Sequence, residues 1–110
     1  MGKQVEYNYV TGQPMVVLSH LKNSVANFLV NNSEVKVGIT GRNPQERFDE
    51  HLKRKDWGRM IVKYVTTSER NANKLEDLLI ENYPELINEW LGTSNLSKDG
   101  DNYLYVLVKK

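Results

Sequence analysis

The run Val35-Lys36-Val37-Gly38-Ile39-Thr40 is the first place where this chain could do chemistry. Strand side chains alternate between faces, so Lys36, Gly38 and Thr40 share one face and Val35, Val37 and Ile39 point to a core. A glycine inside a strand weakens it unless something must come close to the backbone. A lysine, a bare backbone and a hydroxyl side by side suit a phosphodiester. The turn Gly41-Arg42-Asn43 leads to Arg47 and His51, four residues apart and therefore on one side of a helix. Their stripe lies one residue before Phe48 and Leu52, which places Arg47 low on the helix, where its fork can reach the Lys36 face. A guanidinium suits phosphate oxygens bidentately. His51 can bind a phosphate when protonated, or hold a water or leaving group when neutral. Glu76, beside Leu75 and Asp77-Leu78-Leu79, borders an apolar stripe. A carboxylate there can face a cleft and hold a hard divalent cation, with waters and phosphate oxygens completing the shell. Taken singly, each residue also reads as ordinary surface: a solvated strand face, an arginine–acid pair, an acid beside Asp77 and Glu81.

Several elements must position these groups. Lys3 to Val10 alternates Val5, Tyr7 and Tyr9 against Gln4, Glu6 and Asn8, a strand signal, and Thr11-Gly12-Gln13-Pro14 reads as a turn. Met15 to Leu21 is apolar and fits strand or helix. His20, in this run, reads as a structural histidine. Asn27-Phe28-Leu29-Val30 and Val35 to Thr40, around the polar Asn31-Asn32-Ser33-Glu34, predict a hairpin. Asn43 as N-cap, Pro44 at N1 and Glu46 at N3 start a helix that fades near Lys55-Asp56. Met60 to Thr66 is a strand. Ser68 caps a helix to about Tyr83, with Leu75, Leu78 and Leu79 inward. A short helix follows over Glu85 to Leu91, then a polar loop over Ser94 to Asp101 and a strand over Tyr103 to Val108. This order predicts an α+β fold with a small mixed sheet.

The chain has 110 residues, 39% hydrophobic and 26% charged, which fits one globular domain. Zero cysteines exclude disulfides, thiolate metal sites and a cysteine nucleophile. The N-terminus shows no apolar signal-peptide region and no run approaches membrane-span length, so the expectation is a cytoplasmic protein. A net charge of +1 hides an asymmetry. Arg42 to Lys63 holds seven basic residues against Glu46, Asp49, Glu50 and Asp56, whereas Glu69 to Glu89 holds two basic and six acidic residues. A basic patch beside an acidic one suits a polyanion bound near a metal-holding carboxylate, and two solvated helix faces give the same pattern. Arg42, Lys53, Arg54 and Lys55 form the basic surface. Trp57, next to it, can stack on a base or pack over the helix end. Trp90, with Ile87 and Leu91, reads as core or as a homodimer patch.

The ordered set Lys36-Val37-Gly38-Ile39-Thr40, Pro44-x-x-Arg47-x-x-x-His51 and Lys74-Leu75-Glu76-Asp77-Leu78-Leu79-Ile80 resembles the GIY-YIG nuclease superfamily. It is most similar to the phage-associated branch whose second motif reads lysine-apolar-glycine-x-threonine. The similarity covers about Asn27 to Tyr83. The resemblance implies a three-stranded sheet flanked by helices in a core of about 25–110, with residues 1–24 as a β-rich N-terminal extension of a single domain. It implies hydrolysis of a DNA phosphodiester with one divalent ion, Mg2+ or Mn2+. Carried over by position, Glu76 ligates the metal, Arg47 stabilises phosphoryl charge, Lys36 orients or activates the water, and His51 supports the phosphate or the proton traffic. These roles match electrostatic positioning at a phosphoryl centre. Gly38, Thr40, Arg42, Lys53, Arg54, Lys55 and Trp57 are the candidate nucleic-acid contacts.

One element of the family pattern is missing. Its first motif places a tyrosine, the general base, on the strand before the hairpin turn. Alignment on Gly38 puts Phe28 there, or Val25 with a longer turn, and neither can carry a proton. Tyr7, Tyr9 and Tyr64 are the candidate replacements, and the family's late asparagine falls on Asn95 or Asn102. Two expectations follow from this gap: a metal-dependent endonuclease with a rearranged base, or a non-catalytic relative that binds nucleic acid or a protein, such as a phage-encoded antagonist of a host protein.

Overall fold

A computed structural model describes residues 3–87 and 96–110. Seven elements follow in order: β1 (Glu6–Val10), α1 (Pro14–Asn31), β2 (Glu34–Thr40), α2 (Pro44–Leu52), β3 (Arg59–Thr66), α3 (Glu69–Asn82) and β4 (Asn102–Lys109). The four strands form one mixed sheet in the order β1-β3-β4-β2. β1 runs parallel to β3, and β4 lies antiparallel to both β3 and β2.

Alternation along the strands divides the core into two layers. Leu104, Val106 and Val108 face one side, with Val35, Val37, Ile39, Ile61 and Tyr64, and are covered by α1 and α3. Tyr105 and Leu107 face the other, with Met60 and Val62, and are covered by Phe48 of α2 and by Trp57. Both shorter helices start where their caps predict. The Asn43 side chain accepts from Gln45 N at 2.8 Å and Ser68 Oγ accepts from Asn71 N at 3.1 Å, each satisfying an N-terminal N–H that the helix leaves open. α3 buries Ala72, Leu75 and Leu79.

The α+β class holds, with a sheet of four strands rather than three. The predicted hairpin of Asn27–Val30 with Val35–Thr40 does not form: residues 27–30 are the last turns of α1, and the partner of β2 is β4. The β-rich composition of Asn-Phe-Leu-Val is overridden by a longer helical spacing. Val17, Leu18, Leu21 and Val25 fall on one buried stripe, with Phe28 packed at its end. β1 is a strand of the main sheet, joined to β3 by a two-pronged Arg59–Glu6 ion pair at 2.7 Å. His20 lies exposed on α1 rather than in the core. Of the predicted helix Glu85–Leu91, residues 85–87 form a turn and a bridge, with Ile87 N donating to Val35 O at 2.8 Å. The remainder, with Trp90, Leu91 and Asn95, lies outside the described residues. Among the described residues, no helix is long and apolar enough to cross a membrane.

Leu75 anchors α3 to the sheet and is fully buried. Leu75→Ala should lower stability by about 3 kcal/mol, the usual cost of a leucine-sized core cavity. Urea unfolding of the two proteins measures the difference.

Candidate active site

The site is built where β2, β4 and α2 meet. β2 and β4 pair in unbroken register from Glu34↔Lys109 to Thr40↔Tyr103, which sets Tyr105 opposite Gly38. The tyrosine ring folds over the glycine. A Cβ placed on Gly38 would lie 2.6 Å from Tyr105 Cζ and 2.9 Å from Cε1, closer than real atoms come. The approach that a glycine inside a strand signals is therefore made by a side chain of this chain. Gly38 admits the Tyr105 hydroxyl to the middle of the face that also carries Lys36.

α2 closes over this hydroxyl. His51 is only 2% exposed, and its Nε2 lies 2.8 Å from Tyr105 Oη, with the two rings edge to face at 5.6 Å between centroids. Burial, then the positive charges of Arg47, Lys36 and Arg54, outweigh Glu50 and hold the His51 pKa down to about 4. The ring is therefore neutral at pH 7. With its hydrogen on Nδ1, Nε2 accepts a hydrogen bond from the Tyr105 hydroxyl. Burial raises the Tyr105 phenol. Arg47, whose guanidinium reaches the same hydroxyl, opposes that rise, while Glu76 and Glu50 add to it.

Two arginines converge from the other side. Arg47 Nη1 donates to Glu50 Oε1 at 2.9 Å and Arg42 Nη2 donates to the same oxygen at 2.6 Å. Hydrogen bonds from Arg42, then Arg47, hold the Glu50 carboxyl down at about 2. Arg47 is thereby fixed at the rim of the site with its charge in place before any ligand arrives. Glu76 comes from α3. Burial, and then Asp77, push its carboxyl up to about 7, and Lys36 lies near enough to pull against that rise. Lys36 is itself 5% exposed. Its charge bears on both His51 of α2 and Glu76 of α3.

Lys36 and Arg47 thus bear on His51, and Arg47 and Glu76 bear on the Tyr105 hydroxyl, so the four residues come from three segments. Other expected contacts are placed differently. Thr40 is buried and its Oγ1 accepts from Arg42 N at 3.1 Å, so it shapes the turn before α2. Lys55 is ion-paired with Glu34 and lies 5.1 Å over the Trp57 ring. Trp57 is buried against Phe48 and Leu107, so it packs and is not available for a base to stack on. Lys53 and Arg54 are exposed beyond the end of α2. Phe28 belongs to α1 and has no place in the site. Tyr64 is buried in the opposite layer, donating to Gly12 O at 2.6 Å, and Tyr7 and Tyr9 lie exposed on β1. None of the three replaces the missing hydroxyl. Asn102 is buried and holds the preceding loop, accepting from Ser97 N at 2.6 Å.

Tyr105 and Glu50 were not among the sequence candidates. Glu50 stands three residues after Arg47, a spacing at which helical side chains pair. The one sequence signal for Tyr105 is Gly38, which announces a close neighbour without naming it.

Two outcomes test this geometry. His51 is protonated in the unfolded chain below about pH 6.5 and in the folded protein only near pH 4. Unfolded protein therefore binds the extra proton at this site between those values, and the His51 contribution to stability falls as pH drops through that window by up to about 3 kcal/mol, while Glu76, held up at about 7, contributes in the opposite direction. Urea unfolding at pH 7.5 and 4.5 should show wild type gaining less stability, or losing more, on acidification than His51→Gln, by up to about 3 kcal/mol. Gly38→Ala, which drives a methyl into a buried ring, should cost about 1–3 kcal/mol, and the same unfolding measurement reads it. Compared with family models, with curated proteins and with solved structures, the chain finds no match, and the site is read from its own geometry.

Proposed function

We propose that this protein is a metal-dependent phosphodiesterase that cuts DNA in the manner of the GIY-YIG nucleases, with Tyr105 as the hydroxyl that the first motif would otherwise supply. The observation that carries the reading is the Tyr105 hydroxyl, held over Gly38 between the neutral His51 ring at 2.8 Å and the Arg47 guanidinium. In the family pattern the tyrosine strand precedes the lysine-glycine strand. On this reading β4, which lies antiparallel to β2, takes the part of that strand.

The residues divide the work as follows. Tyr105 stays a phenol: its hydroxyl donates to the neutral His51 Nε2 and accepts a hydrogen bond from the attacking water, which orients that water while the water's proton passes to a phosphoryl oxygen of the substrate. Arg47 meets the charge that develops on the phosphoryl oxygens, and Lys36 orients the water and the scissile group. Glu50 acts through Arg47 and is a positioning residue. Glu76 would hold the divalent ion, which supplies Lewis-acid charge to the phosphoryl oxygens when bound. The donor set fits that role in one form only. Among the described residues, no three histidine or acidic side chains gather into a cage. Mg2+ held by one carboxylate, waters and substrate phosphate oxygens needs no cage. A carboxyl that burial makes costly to ionise is one that a cation compensates.

Incubated with single-stranded and duplex DNA in Mg2+ or Mn2+, the protein should cut, and chelation should stop it. Tyr105→Phe keeps the ring and should slow cutting about 100-fold or more. Arg47→Ala should cost about 100-fold and Glu76→Ala should abolish the metal dependence along with the activity. Wild type that never cuts, or cutting that survives these changes, overturns the assignment. Salt-sensitive binding without cutting would favour the non-catalytic relative instead.

A further inference from the structure

β1 is exposed along its whole length, and two of its residues are tyrosines at 55% and 51% exposure, Tyr7 and Tyr9. Large aromatics on an open edge strand are a liability unless they meet something. Their placement is specific. Tyr7 pairs with Val62, which packs with Tyr105 and Phe48, so Tyr7 stands on the sheet face that carries the site. Val10 pairs with Tyr64 of the opposite layer, which puts Tyr9 on the same face as Tyr7. Tyr103 is two residues before Tyr105 on β4 and shares its face. Both Tyr7 and Tyr9 lie near enough to act on the Tyr103 phenol.

We propose that Tyr7, Tyr9 and Tyr103 form a stacking platform for the unpaired bases of a single-stranded nucleic acid whose backbone runs into the site at Tyr105 and Arg47. This rests on the phosphodiester reading of that site and names the form of its substrate. Three features support it. The platform is continuous with the site: Tyr103 and Tyr105 are about 7 Å apart along the strand, and β1 lies two strand spacings, roughly 10 Å, from β4. Asp101 bears on Tyr103 from the end of β4 away from the site, which directs a phosphate backbone toward Arg47 rather than past that carboxylate. A tyrosine face also accepts any base without hydrogen-bond readout, whereas paired bases keep their faces covered.

The test is fluorescence anisotropy in EDTA, so that binding is read without metal or cleavage. The probes are a labelled single strand of about ten nucleotides, the same length with abasic sites, and the corresponding duplex. Wild type should prefer the base-bearing single strand. Tyr7→Leu with Tyr9→Leu should weaken that binding at least 5-fold per tyrosine while leaving the abasic strand unchanged. Tyr7→Phe with Tyr9→Phe should restore it, since the ring and not the hydroxyl stacks. Equal loss on base-bearing and abasic strands, no loss at all, or a wild-type preference for duplex overturns the platform. So does a leucine variant that changes the protein's mass in sedimentation but not its affinity for DNA, which would assign the strand to a second copy. Cleavage that fails while the base-dependent binding holds would remove the nuclease and keep the platform.

Discussion

The site depends on one steric fact: a buried tyrosine ring can pack against residue 38 of β2 only because that residue has no side chain. That contact puts a hydroxyl, rather than a hydrocarbon, at the centre of the sheet face. It also depends on register. β2 and β4 are paired residue for residue over seven positions, and a slip of one would turn Tyr105 into the α1–α3 layer and bring Leu104 or Val106 to the site. The bulge in β3 adds to this control. Val62 still faces Tyr105 while Tyr64 faces Leu104, with Lys63 between them, so the alternation changes on β3 without disturbing β4. The placement of Tyr105 therefore depends on the antiparallel ladder before it depends on any single side chain.

α2 converts that geometry into an electrostatic arrangement. Its Phe48 packs on the sheet, and the same turn carries His51 down to the Tyr105 hydroxyl and Arg47 to the rim. A buried histidine beside two arginines and a lysine cannot hold a proton near neutrality. The neutrality that burial imposes is what leaves Nε2 open to accept a hydrogen bond from the Tyr105 hydroxyl. Glu50 is the counterweight: by gripping both Arg42 and Arg47 it keeps the guanidiniums from repelling each other and orients Arg47. The arrangement is pre-set, so an incoming anion meets charge already placed rather than having to order it.

Much of this was legible locally. The caps at Asn43 and Ser68, the four-residue step from Arg47 to His51 and the edge position of Glu76 are short-range signals, and α2 and α3 form as they predict. α1 was not legible because its C-terminal turns carry strand-forming residues. The decisive spacing, from Val17 through Leu21 and Val25 to Phe28, appears only over a window longer than those turns. Tyr105 was not legible for a different reason. Residues 103–108 are apolar on both faces, as in a strand covered on both sides, so the pattern does not say which face each residue takes. Its partner glycine comes from the far part of the chain, and long-range pairing leaves no mark in local sequence.

On the reading proposed, the departure from the family pattern is one of chain order and not of chemistry. The end of β4 lies against the start of β2: Ser33 N and Ser33 Oγ both donate to Lys109 O, at 2.9 and 3.1 Å. That junction has the spacing of a tight hairpin turn, although the chain passes through it as two separate segments. A hairpin connecting β4 directly to β2 would leave the sheet, the ring over Gly38 and the His51 contact as they are. What the hydroxyl requires is a strand antiparallel to β2 in this register, and that requirement is indifferent to the end of the chain that supplies it. Catalytic constellations are defined by geometry and role and not by sequence position. The rearrangement also frees the N-terminal segment, which in this chain adds β1 to the opposite edge of the sheet and brings two exposed tyrosines to the face that the site occupies.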